Sequence, residues 1–215
     1  ARKYEKTLDC KPCLYLISNA EVIILKIKEL ENLLSISRSN IRFYEKEGLL
    51  MGNRFNGKTA FVTGGSRGIG RAIVEQLAQQ GAHVAIIDVN EEALHKTETE
   101  LKEKGYSIYT KVGSVTERKD IELAMKEVNE KFGSMDILVN NAGVIRDNFI
   151  FKMTDEDWMT VIDVHLKGAF YASRAAQQYM VEKKYGRIIN ISSTSALGNK
   201  GQANYATAKA GLQGL

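Results

Sequence analysis

The 215-residue sequence has one proline and two cysteines, and its charges nearly cancel, with 30 Lys and Arg against 26 Asp and Glu. Each shortage excludes something. One proline beside 18 glycines and 44% hydrophobic residues is not the composition of a disordered linker or a fibrous repeat. The two thiols stand together, Cys10 and Cys13 in Cys-Lys-Pro-Cys. No second pair and no nearby histidine completes a metal shell, so no metal is expected and the thiols read as inert. A net charge of +4 is too small to argue for a polyanionic partner by itself. Most of it lies in residues 1–56, which hold ten Lys and Arg against seven Asp and Glu. No run approaches ~18 apolar residues, so no membrane span is expected. No apolar core ending in small residues marks the front for secretion, which points to the cytoplasm.

What is present divides near residue 51. Residues 1–50 are rich in Lys, Glu, Leu and Ile and read as a helical segment. Residues 51–215 alternate between short apolar strands and amphipathic helices. Strands are expected over 59–62, 82–87, 107–112, 137–139 and 186–191. Helices are expected over 68–80, where Ile69, Ile73 and Leu77 share a face, and over 91–104 and 118–132. Residues 155–180 read as one long or two abutting helices, and another opens at Asn204. This rhythm predicts an α/β fold: a Rossmann-type, doubly wound parallel sheet with crossover helices on both faces.

The first of these strands runs into Thr63-Gly64-Gly65-Ser66-Arg67-Gly68-Ile69-Gly70. Glycines between a buried strand and a helix let the backbone approach a pyrophosphate, and the helix N-terminus faces its charge. Gly64, Ser66, Arg67, Gly68, Ile69 and Gly70 are therefore candidate cofactor residues. Asp88 closes the next strand, where a carboxylate accepts the ribose hydroxyls of NAD and repels a 2′-phosphate. NAD is the expected cofactor, NADP the less favoured one. Arg67 pulls the other way, as a partner for a phosphate.

Further along stand Asn140-Asn141-Ala142-Gly143, Ser192-Ser193 and Tyr205-Ala-Thr-Ala-Lys209. Taken with the glycine motif and in this order, they resemble the classical short-chain dehydrogenase/reductase family over about residues 55–215. Tyr205 and Lys209 are four apart and share a helix face. An ammonium nearby favours a phenolate. Tyr205 then exchanges a proton with the substrate oxygen while hydride moves at the carbon. The resemblance also gives Lys209 the nicotinamide ribose, a serine the substrate carbonyl, and Asn141, Ala142 and Gly143 a place in the cofactor site. Counting from the preceding strand selects Ser193, and counting back from Tyr205 selects Ser192. Neighbouring strand residues face opposite ways, so one serves, and strand register favours Ser193.

Two departures from the family pattern stand out. Ser114-Val115 replaces an acidic residue and valine at the adenine contact. His165, in Val-His-Leu-Lys-Gly, replaces a catalytic asparagine; it can donate and accept, and titrates near neutrality. The text around Val144–Asn148 and Gly201–Tyr205 resembles 3-oxoacyl thioester reductases and their hydroxyacyl-CoA relatives. The implied substrate is an acyl thioester, and the implied assembly a homo-oligomer when complete. The family continues well past its lysine, whereas this chain stops at Leu215. The sheet is expected to be incomplete on its C-terminal side and the chain a poor catalyst alone.

Residues 25–50 carry a second resemblance. A short helix to Leu34, a turn, and a helix capped by Ser37 form a helix-turn-helix pattern. The run from Arg42 to Leu49 resembles the start of MerR-type regulators. That implies DNA contacts from Arg38, Ser39, Arg42 and Tyr44. The weak charge and the missing wing and dimer helix argue against nucleic acid as a partner.

Overall fold

The computed structural model describes residues 16–18, 21–23 and 54–215. Strands β1 (Leu16–Ser18) and β2 (Glu21–Ile23) pair antiparallel. The helical expectation for residues 1–50 fails at these six positions, where Ile17, Val22 and Ile23 are β-branched and favour extended backbone. The helix-turn-helix expectation over 25–50, with Arg38, Ser39, Arg42 and Tyr44, lies outside the described residues, as do Cys10 and Cys13.

From Thr59 onward the elements are β3 (Thr59–Thr63), α1 (Gly68–Gln79), β4 (His83–Asp88), α2 (Glu91–Glu103), β5 (Ile108–Val112), α3 (Arg118–Phe132), β6 (Ile137–Asn140), α4 (Asp155–Ile162), α5 (Gly168–Glu182), β7 (Arg187–Asn190) and α6 (Ala203–Gly214). The five strands β3–β7 are all parallel, in the order β5-β4-β3-β6-β7. The order reverses beside β3, so a crevice opens there at the carboxyl ends of β3 and β6, where such sheets bind ligands.

Alternation along the strands explains the two layers. Phe61, Ala85, Ile87 and Leu138 face α3 and α5, burying Ile121, Met125, Val128, Ala172 and Ala176. Ala60, Val62, Val84, Ile86 and Val139 face α1 and α2, burying Val74, Leu77, Leu94 and Leu101. Each fully buried large side chain contributes roughly 1.5–3 kcal/mol to this core. Local signals set the ends. Gly133 stops α3 in the left-handed conformation, with φ 70°. Thr154 starts α4 with a reciprocal capping box to Asp157.

Between α4 and α5 the chain takes one wide π-helical turn, Asp163–Lys167. Residues 155–180 are thus two helices joined by a bulge, and the extra residue turns His165 into the interior. One expected burial does not occur. Ile69 is 68% exposed and lines the crevice, while Ile73 and Leu77 pack on the core.

Candidate active site

A cleft of about 520 Å³ opens at the carboxyl ends of β3, β4 and β6. Gly64, Arg67, Ile69, Gly70, Asp88, Ser114, Val115, Asn141, Ala142, Gly143, His165, Ser192, Ser193, Tyr205 and Lys209 all line it. Of the residues read from the sequence, Ser66 and Gly68 are not on its wall. Ser66 is 95% buried behind it, and Gly68 supplies the turn, with φ 56° and open space where a side chain would stand.

The glycine turn is held from below by side chains that sequence patterns alone do not single out. Thr63 is buried, and its hydroxyl accepts the Asn141 and Ala142 amides at 3.0 Å each. The Asn141 side chain donates to the Thr63 and Gly64 carbonyls. A methyl on Gly64 would come within 2.9 Å of the Ala142 Cα, and one on Gly70 would collide with the Gly64 carbonyl and the Asn141 amide. The two segments therefore close on each other only without Cβ atoms. Arg67 caps α1 without a side-chain bond, which leaves the helix's first amides free to face an anion. These features fit a dinucleotide.

Asp88 has a different occupation from the one expected. Its Oδ2 accepts the Ser66 amide at 3.1 Å and the Ser66 hydroxyl at 2.6 Å, and its Oδ1 accepts the Asn90 amide at 3.1 Å. Ser114 is likewise engaged: its amide donates to Asp120, and its hydroxyl lies 2.8 Å from that of Thr116. Val115 packs against Gly168.

At the other end of the cleft, α6 carries Tyr205 and Lys209. Lys209 is 4% exposed, and its ammonium donates to the Ile191 carbonyl at 2.6 Å. It stands 5.5 Å from the centre of the Tyr205 ring. Burial pushes its pKa down to about 8. His165 is equally buried. Its Nε2 lies 3.0 Å from the Val144 amide, which donates to it in one tautomer, and 2.8 Å from the Val144 carbonyl, to which it donates in the other. Its Nδ1 is buried without a partner among the described residues. Burial, reinforced by the Lys209 charge, lowers its pKa to about 4, so the expected titration near neutrality does not occur.

The two serines differ in what they already bond. The Ser192 hydroxyl donates to the Lys209 carbonyl at 2.8 Å, which uses its proton. The Ser193 hydroxyl accepts the Ser195 amide at 3.1 Å, capping a short 3-10 turn, and keeps its own proton available. Among the described residues no group of three potential metal ligands occurs, and no helix is long and apolar enough to cross a membrane.

Comparison with known proteins agrees with this geometry. The short chain dehydrogenase family matches residues 58–215. This chain belongs to that family. It is 45% identical over 162 residues to the 3-oxoacyl-[acyl-carrier-protein] reductase FabG of Escherichia coli, covering 75% of this chain and 65% of that protein. It is 44% identical over 160 residues to FabG of Staphylococcus aureus, covering 74% of this chain and 65% of that one. In structure it resembles a putative short-chain alcohol dehydrogenase from Sinorhizobium meliloti, with TM-score 0.72 and 33% identity over 75% of this chain and 65% of that one. The chain thus spans about 65% of the length of these relatives. The dehydrogenase match begins at residue 58, beyond the segment read as a helix-turn-helix.

The family comparison corrects the cofactor expectation. The FabG reductases work with NADPH, so the preference for NAD read from Asp88 does not stand. The geometry supplies a reason. Three bonds from Ser66 and Asn90 already take up most of the acceptor capacity of Asp88, which leaves less of it for the ribose. Arg67, a cation suited to a phosphate, lines the same cleft.

Proposed function

We propose that this dehydrogenase-family chain carries the cofactor-binding and proton-transfer part of a reductase for 3-oxoacyl thioesters. The observation behind this reading is Tyr205 standing against Lys209 and His165 on the wall of the glycine-lined cleft, which Ser193 also lines. In it, Gly64, Ser66, Arg67, Gly68, Ile69 and Gly70 hold the pyrophosphate side of the dinucleotide. Asp88, Ser114 and Val115 bound its adenosine side, and Asn141, Ala142 and Gly143 form the opposite wall. The reduced nicotinamide dinucleotide supplies hydride when bound.

The chain's own groups handle the proton. Ser193 donates a hydrogen bond from its free hydroxyl to the substrate carbonyl and orients it, keeping its proton. The Tyr205 hydroxyl delivers a proton to the oxygen that becomes the alcohol. Lys209, charged below about pH 8, holds positive potential beside the phenol and favours its ionised form afterwards. His165, neutral at working pH, holds Val144 and the loop that follows it. The acyl thioester assignment is supported by the FabG relatives, whose name states that substrate class.

The test is a titration of the purified chain with both reduced cofactors, followed by turnover of acetoacetyl-CoA. Saturable cofactor binding and acetoacetyl-dependent oxidation are expected. Turnover of simple ketones with none of the thioester would overturn the substrate assignment, and absence of cofactor binding the whole reading.

A further inference from the structure

The loop after β6 and the start of α6 are stitched together on the wall of the cleft. The Asn148 amide donates to the Gly201 carbonyl at 2.9 Å, and Asn148 and Gln202 form a single parallel bridge. The Gln202 side chain donates to Asp147 at 2.8 Å. The innermost stitch is Asn204, which is fully buried. Its Nδ2 donates to the Arg146 carbonyl at 2.8 Å and to the Asp157 carbonyl at 3.2 Å. Its Oδ1 accepts the Tyr205 amide at 2.8 Å.

One side chain therefore reaches three backbones. Arg146 belongs to the loop whose neighbours Val144 and Ile145 line the cleft. Asp157 sits in the first turn of α4, itself fixed by the Thr154 capping box. Tyr205 is the proposed proton donor. A buried amide with all three of its bonds made holds its partners tightly, because breaking any one leaves a polar group unpaired. The Asp147–Gln202 link is exposed at the surface and costs less to open.

We propose that Asn204 is a positioning residue that ties the 144–148 loop to Tyr205, so that the cleft wall and the proton donor move as one unit. It does not touch the reacting atoms. Misplacing a reacting group by about 1 Å costs roughly 100-fold in rate, so a loosened tie is read in turnover before it is read in folding. This role rests on the reductase reading above.

Two variants separate the ties. Asn204→Ala removes all three bonds, whereas Asn204→Asp keeps the acceptor for the Tyr205 amide and retains at most one donor, the O–H of the buried acid, for the two carbonyls. Hydrogen–deuterium exchange on the full chain is expected to rise at 144–148 in both variants and at 205–206 in Asn204→Ala only, with β3 and β6 unchanged. Turnover of acetoacetyl-CoA is expected to fall at least ~10-fold in kcat for both, with cofactor Kd within about twofold. Exchange at 144–148 equal to wild type, or a uniform rise across the sheet in the Asp variant, would overturn the role. Unchanged kcat with faster loop exchange would overturn it as well. A wild-type chain that binds cofactor without turning over any thioester would refute the reductase reading instead, and the exchange pattern would still decide the tie.

Discussion

The imidazole of His165 meets the phenol of Tyr205 edge to face, with ring centroids 5.1 Å apart and planes at 89°. The ring fits only because residue 143 is glycine: a Cβ there would run into the imidazole. The π-helical turn, the Gly143 gap and the Val144 backbone thus hold a neutral histidine against the tyrosine.

That neutrality has a pH signature. Burial lowers the folded-state pKa of His165 to about 4, against 6.5 for the free side chain. The unfolded chain takes up the proton first as pH falls, so stability is complete above about pH 6.5 and is lost progressively toward pH 4. The whole effect is on the order of 3 kcal/mol at most. Melting temperature measured from pH 7 to pH 5 is expected to fall in the wild type and to fall less steeply in His165→Asn. Parallel slopes would show that His165 carries no such linkage.

Tyr205→Phe removes one hydroxyl and leaves the ring. Turnover is expected to drop by at least ~100-fold, the scale of a lost proton donor, while cofactor Kd changes less than twofold. Steady-state kinetics with a fluorescence titration of the cofactor checks both. A rate within threefold of wild type would remove Tyr205 from the proton path.

Ser193→Ala and Ser192→Ala are expected to part company. The first removes the hydroxyl whose proton is free, and kcat should fall roughly 10- to 1000-fold. The second removes the bond to the Lys209 carbonyl, costing about 1 kcal/mol of stability with a smaller kinetic loss. A larger kinetic loss for Ser192→Ala would reverse the assignment.

Gly70→Ala and Gly68→Ala test the closeness of the turn. A methyl at Gly70 drives into the Gly64 carbonyl and the Asn141 amide, so loss of roughly 3 kcal/mol or more and of cofactor binding is expected. A methyl at Gly68 meets nothing and pays only for φ 56°, about 1 kcal/mol. Chemical denaturation of both proteins gives the two numbers.

The parallel sheet, its five strands and the cleft at their carboxyl ends were legible in the sequence. Apolar runs of strand length, helices between them and glycines at one junction permit few other chain paths. That Tyr205 and Lys209 share a helix face was legible for a similar reason, since a spacing of four fixes it whatever surrounds it, whereas their place in a site was implied only by the family resemblance. Three matters were decided by tertiary structure. His165 reads from sequence as a group titrating near neutrality, yet its pKa depends on burial, and the π-helical turn that buries it leaves no spacing signal. Asp88 reads as a free carboxylate at a strand end, yet Ser66, 22 residues earlier, occupies one of its oxygens. Thr63 and Asn204 read as ordinary polar residues, and their roles come from partners 78 and 58 residues away, Asn141 and Arg146. Local periodicity determines which elements form. Which polar groups lose water, and which backbone they meet when they do, is settled only when distant segments pack.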